Sequence, residues 1–201
     1  MGSIFKNISH FFHFHFYNFY DMKYILFACA LLYTISTQAQ FKQAYLQASG
    51  LTCSMCSKAI YKALSAVPFV EKVDSDIKNS AYNIAFKNNM SVDFDALKNA
   101  VTGAGFSVAK LTVTANFDNV KVQNDAHVVI QGKTLHFLNV PNQTLNGNKT
   151  LTVVDKNFAT AKEYKKFGQY TAMKCYQTGT MESCCAKKDG AIGTRVYHVT
   201  I

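Results

Sequence analysis

The chain has 201 residues, with 21 Lys and Arg against 12 Asp and Glu, which gives a formal net charge of +9. The positive charges are dispersed and form no long basic run, so we expect no nucleic-acid partner and only a mild attraction to acidic partners or surfaces. The length is enough for one domain or for two small ones.

Residues 22–39 have the three parts of a secretory signal peptide. Met22-Lys23 is followed by an apolar run that ends at Tyr33, and Thr37-Gln38-Ala39 offers a small-residue cleavage site. The apolar run is too short for a confident transmembrane helix. We therefore expect a mature chain that begins at Gln40, is exported to the periplasm and has no stable membrane span.

Residues 1–21 are rich in Phe, Tyr and His, with His10, His13 and His15 close together. One interpretation is a metal-binding histidine tract. We favour the other, a stretch translated from a start codon assigned too early, because a complete signal peptide already begins at Met22.

The spacing of apolar residues predicts the order βαββαβ over residues 40–111. Strands are expected at 44–48, 70–73, 82–86 and 106–111, and helices at 56–66 and 93–103, where Asp93 and Asp95 suit the positive end of the second helix. This order predicts an α+β fold, a ferredoxin-like sandwich.

Cys53 and Cys56 stand where the first strand gives way to the first helix. A helix N-terminus favours the thiolate over the thiol, and two thiolates suit Cu(I) or Hg(II), which accept two ligands in a nearly linear arrangement. Zn(II) prefers four ligands. A redox pair and a structural disulfide are the alternatives, but neither Pro68 nor Pro141 is placed to face the pair as a redox motif requires. Metal binding is the favoured interpretation.

Two segments extend this pattern, Gly50-Leu51-Thr52-Cys53-Ser54-Met55-Cys56 and Ala100-Val101-Thr102-Gly103-Ala104-Gly105-Phe106. With them, the chain from about Phe41 to Leu111 resembles the heavy-metal-associated domain of copper chaperones, metal-exporting ATPases and the periplasmic mercury-binding protein. The resemblance implies that Cys53 and Cys56 bind one soft ion, usually Cu(I), and pass it by thiolate exchange to a metal-transporting membrane protein or another domain of this type.

Two positions depart from the family pattern, and two others fit the surroundings of a metal. Leu51 stands where the family usually has Met, and Phe69 where a Gly is common. The resemblance places Phe106 in the loop beside the metal. Lys58 can offset the charge of a bis-thiolate complex, although a solvated helix residue is the simpler interpretation.

Residues 112–201 read mostly as strands, and we assign them to no family. Strands are expected at 120–122, 128–130, 135–140, 151–154, 170–175 and 196–201, with one helix at about 160–167. This pattern predicts a second, β-rich domain after Leu111, of the OB-barrel type.

Five sulfur-containing residues lie close together near the end of the chain: Met173, Cys175, Met181, Cys184 and Cys185. In an oxidising compartment a disulfide from Cys175 to Cys184 or Cys185 is the favoured interpretation. A second soft-metal site is the first alternative, since thiolate and thioether select Cu(I), and unpaired thiols are the other. His198, in the last predicted strand, is interpreted as a structural histidine.

Two functions follow from these patterns. The first is a metallochaperone or scavenger that captures Cu(I), or Hg(II), and transfers or sequesters it. The second is a metal-sensing or targeting module attached to a β-rich domain with the main activity. An enzyme is not expected, because residues 112–201 contain no nucleophile elbow, no usefully spaced carboxylate pair and no glycine-rich phosphate loop.

Overall fold

The structure is a computed structural model that describes residues 40–51, 54–185 and 191–201. The predicted upstream extension, residues 1–21, and the predicted signal peptide, residues 22–39, lie outside the described residues. None of the described helices is long and apolar enough to cross a membrane.

The described chain contains eight strands, three longer helical segments and one short helix. The strands are β1 (Gln40–Ser49), β2 (Val70–Asp76), β3 (Ala81–Phe86), β4 (Ser107–Val122), β5 (Ala126–Ile130), β6 (Lys133–Phe137), β7 (Gln143–Val153) and β8 (Val196–Thr200). The α-helices are α1 (Ser54–Ser65), α2 (Phe94–Gly103), α3 (Ala161–Phe167) and the short α4 (Cys175–Thr178), and a 3-10 turn spans Gly168–Tyr170.

The first part of the chain confirms the predicted ferredoxin-like order. β1 lies between β3 and β4 and pairs with both in antiparallel register, and β2 pairs with β3. Alternate residues of β1 are buried, as are Ile60 and Leu64 of α1, because each element presents one apolar face to the core. Asp93 caps α2 by accepting a hydrogen bond from the Asp95 backbone N–H at 3.0 Å.

The second part of the chain extends the same sheet. β4 has 16 residues; it pairs with β1 and also with β7, so the sheet order is β2-β3-β1-β4-β7-β8-β6-β5. The predicted OB-type barrel is not confirmed, because this order is that of an open sheet with β2 and β5 at its edges. β4 runs through Leu111, and the predicted domain division at that residue stays a prediction.

The strand predicted at 170–175 is wrong. This segment leaves the 3-10 turn and enters α4. Tyr164 and Tyr176 stack with ring centroids 4.6 Å apart, and each hydroxyl donates to the other residue's backbone carbonyl, at 3.0 and 2.7 Å. These contacts hold the segment against α3, whose predicted helix is confirmed and begins with a capping box between Thr160 and Glu163.

Arg195, just before β8, joins the two parts of the chain. Its Nε donates to Asp95 Oδ2 at 2.8 Å, and its Nη2 donates to Asp155 Oδ2 at 2.9 Å. The Tyr197 hydroxyl lies 2.9 Å from Asp93 Oδ1 and 3.0 Å from Asp95 Oδ2. The start of α2 is therefore tied to the last strand of the sheet.

Candidate metal centre

The predicted metal loop connects β1 to α1. Gly50 has a φ of +87°, a left-handed conformation that L side chains rarely adopt, and Leu51 packs half-buried against the core. Cys56 is half-buried in the first turn of α1, and the preceding Met55 is 75% exposed. Cys53 lies outside the described residues. Cys56 is therefore placed in the first turn of α1, and its role as a metal ligand stays a prediction.

The buried side chain of Tyr82 holds the first turn of α1 by hydrogen bonds. Its side chain is fully buried, and its hydroxyl lies 3.1 Å from Ser57 Oγ and 3.2 Å from the Ser57 carbonyl oxygen. Because Ser57 follows Cys56, these hydrogen bonds also restrain the backbone that carries the thiol.

Phe106 lies beside the loop, and Lys58 points to solvent. A Cβ at Gly50 would lie 3.8 Å from Phe106 Cδ1, so the ring borders the chain that leads into the cysteine motif. Lys58 is exposed on α1. The positions of Phe106 and Lys58 relative to a bound metal both stay predictions.

The structure gathers most of the C-terminal sulfur residues. Cys175, Met181 and Cys185 are buried in one small cluster, with Met173 packed against it. Cys184 is exposed, with its Sγ 3.8 Å from Cys185 Sγ. No disulfide joins Cys175, Cys184 and Cys185 in the structure, and the pairing of Cys175 with Cys184 or Cys185 stays a prediction.

Three histidines stand next to this cluster, and sequence reasoning identified none of them as a candidate ligand. His127, Cys175 and Cys185 bring one donor atom each to within 4.8 Å of one another, and His136, Cys175 and His198 do the same. The sequence signal is that His136 and His198 lie within predicted strands and that His127 directly precedes one. His198, interpreted from the sequence as a structural histidine, lies in one group with His136 and Cys175, two other residues that can bind a metal.

Comparison with known proteins assigns the first part of the chain. Residues 46–107 match the family model of the Heavy-metal-associated domain. A probable copper-transporting ATPase HMA5 from Arabidopsis thaliana is 31% identical over 74 residues, which are 37% of this chain and 7% of the relative. The chain therefore spans a small part of the length of that relative.

Solved structures with similarity to this chain include two domains of comparable size to residues 46–107. The yeast copper transporter domain Ccc2a is 27% identical, with 33% of this chain and 90% of that chain covered, at a TM-score of 0.30. Oxidized MerP from Ralstonia metallidurans CH34 is 30% identical, with 34% and 97% covered, at a TM-score of 0.31. Because both scores are below 0.5, the assignment rests on the family model and on the βαββαβ order. Residues 46–107 of this chain are a heavy-metal-associated domain.

Proposed function

We propose that this protein captures one soft metal ion, Cu(I) in the first place, with Cys53 and Cys56, and passes it to a partner domain or holds it away from other proteins. The observation that carries the proposal is the heavy-metal-associated domain at residues 46–107, whose sequence contains Cys53 and Cys56 on either side of Ser54, the first residue of α1. Two thiolates satisfy Cu(I), whereas Zn(II) prefers four ligands.

The setting of the pair suits transfer of the ion. Met55, between the two cysteines, is 75% exposed, and Cys56 is half-buried. An incoming thiolate can therefore approach a two-coordinate ion and replace one ligand at a time, so that transfer needs only a slightly better acceptor. The 31% identical relative is named as a copper-transporting ATPase, which supports a membrane transporter as the partner.

We also propose that the protein works after export, with residues 22–39 as its signal peptide. This rests on the three-part layout of those residues in the sequence. Binding and transfer are the proposed activity, and no catalytic step is part of it. Hg(II) is the second candidate ion, because it accepts the same two-thiolate geometry.

A transfer experiment tests this proposal. The reduced protein is loaded with one equivalent of Cu(I) and mixed with an apo heavy-metal-associated domain of a copper ATPase, and the copper in each protein is measured after separation. We expect redistribution within the mixing time. A Cys56→Ser variant should fail to retain the loaded ion, whereas Cys184→Ser, which alters an exposed thiol elsewhere, should behave like the wild type. Equal copper retention by all three proteins would contradict the proposal.

A further inference from the structure

Three histidines form a row across neighbouring strands in the part of the chain that follows the heavy-metal-associated domain. His136 on β6 is the register partner of His127 on β5 and of His198 on β8. Residues directly opposite each other on paired strands project from the same face of a sheet. The ring centroids of His127 and His136 are 4.3 Å apart, and those of His136 and His198 are 5.1 Å apart.

Cys175, at the start of α4, faces this row. Its Sγ lies 3.7 Å from His136 Nδ1 and 3.7 Å from His127 Nε2. Around a tetrahedral zinc ion, with bonds of about 2.3 Å to sulfur and about 2.0–2.1 Å to nitrogen, sulfur and nitrogen ligands lie about 3.6 Å apart. Both sulfur–nitrogen distances at Cys175 therefore match the separation of two ligands of one tetrahedral ion.

Carboxylates hold two of the imidazoles in place. Asp125 Oδ1 lies 2.9 Å from His136 Nε2, and Asp155 Oδ1 lies 2.5 Å from His198 Nδ1. Asp155 is in turn held by Arg195 at 2.9 Å. A histidine that binds a metal through one ring nitrogen commonly donates its other N–H to a carboxylate, which sets the tautomer and the ring orientation. His136 and His198 both have this arrangement, with the nitrogen away from the carboxylate left as an acceptor.

The remaining nitrogen of His198 has no partner among the described residues. His198 is fully buried, and its Nε2 makes no hydrogen bond. Buried polar atoms without a partner are rare and call for an explanation such as an ion or a water. Because Asp155 engages Nδ1, Nε2 is the atom that can bind an ion within the group formed with His136 and Cys175.

We propose that Cys175, His136 and His198 are ligands of a second, buried site for one transition-metal ion of the zinc or copper class. His127 and Cys185 lie within reach of Cys175 and are the candidates for the fourth ligand. A donor set of thiolate and imidazole selects zinc and copper over Mg²⁺ and Ca²⁺, which prefer oxygen. Since the three ligands are fully buried, this ion joins β6, β8 and α4 and, unlike the ion proposed for Cys53 and Cys56, is not exchanged.

The test uses Co(II) as a spectroscopic probe, in protein that carries Cys53→Ala and Cys56→Ala so that the first site is absent. We expect one equivalent of Co(II) to give thiolate-to-cobalt charge-transfer bands and the visible bands of a tetrahedral ion, and one equivalent of Zn(II) to displace it. Adding Cys175→Ser should remove the charge-transfer intensity of one thiolate, which is all of it if His127 is the fourth ligand and about half of it if Cys185 is. Adding Cys184→Ser is the matched control, since this exposed thiol belongs to neither group of donors, and should leave the charge-transfer bands unchanged.

A second variant separates ligand loss from misfolding. In the same background, His198→Gln keeps an amide N–H that can reach Asp155 but offers no imidazole nitrogen, so we expect at least a tenfold weaker Co(II) affinity. Circular dichroism of the metal-free variants checks that the fold is kept. Absence of thiolate-to-cobalt bands in the parent protein, or persistence of unchanged bands in the folded Cys175→Ser and His198→Gln variants, would overturn the proposal.

Discussion

Replacing Arg195 with Met tests whether the two parts of the chain are held together by the contacts of this guanidinium. Met preserves much of the apolar stem but removes the charge and the donors to Asp95 and Asp155. The Asp155 side chain is only 8% exposed, so its carboxylate would be left buried without this cation.

The magnitude follows from the burial of the three groups. A hydrogen bond to a charged group contributes about 1.5–3 kcal/mol, and Arg195 makes one to each carboxylate. Because the Arg195 and Asp95 side chains are 33% and 25% exposed, solvent screening reduces this sum. We expect Arg195→Met to lower the free energy of unfolding by about 2–3 kcal/mol.

The assay is urea unfolding at neutral pH, with Lys72→Met as the matched control. The Lys72–Asp74 pair has the same N–O distance, 2.9 Å, but its side chains are 68% and 59% exposed, and we expect no measurable change on breaking it. If Arg195→Met changed the free energy of unfolding no more than Lys72→Met does, the reasoning from burial would be refuted.

Three further predictions concern the electrostatics, the core and the loop. Burial raises the pKa of Asp95, but its hydrogen bond and ion pair with Arg195 outweigh this and lower the pKa below its ordinary value. The stabilisation by ionised Asp95 is therefore complete above about pH 4 and is lost as the pH falls through the lowered pKa. We expect the difference in the free energy of unfolding between wild type and Asp95→Asn to shrink from pH 5 to pH 2. A difference that stays constant over this range would contradict the prediction. Leu97→Ala, at a fully buried position of α2, should cost about 2–5 kcal/mol in urea unfolding, and a cost below 1 kcal/mol would show that the site is not packed as described. Gly50→Ala should lower the free energy of unfolding by about 1–2 kcal/mol, because the φ of Gly50 is +87°. Gly103→Ala is the control: nothing lies within 4 Å of the added Cβ, so this substitution should be neutral or stabilising. Equal effects of the two substitutions would contradict the conformational explanation.

The elements of residues 40–111 could be predicted because local patterns determine them. The alternation of apolar residues in β1 and the four-residue spacing of Ile60 and Leu64 indicate which face of each element is buried. The cysteine motif is contiguous in the sequence, so it can be identified without knowledge of the fold. Comparison confirms the domain that these patterns indicate.

The second half could not be predicted in the same way, because its arrangement depends on distant pairings. β8, the last strand, enters between β7 and β6 and is parallel to β6. That insertion puts His198 opposite His136, 62 residues earlier in the chain, and no local pattern carries this register. Residues 170–175 do not form the predicted strand, because the stacking of Tyr164 on Tyr176 determines the path of this segment.

The most direct test of the central claim is a Cu(I) titration of the reduced protein against a chromophoric chelator, beside a variant with Cys53→Ala and Cys56→Ala. The account predicts one tightly bound equivalent at the heavy-metal-associated domain that the variant lacks. Any copper that the variant still binds should disappear on adding Cys175→Ser and remain on adding Cys184→Ser, which keeps the two sites distinguishable. The account would be contradicted if the reduced wild type bound no Cu(I) tightly. It would also be contradicted if the variant that lacks Cys53, Cys56 and Cys175 bound Cu(I) as tightly as the wild type does.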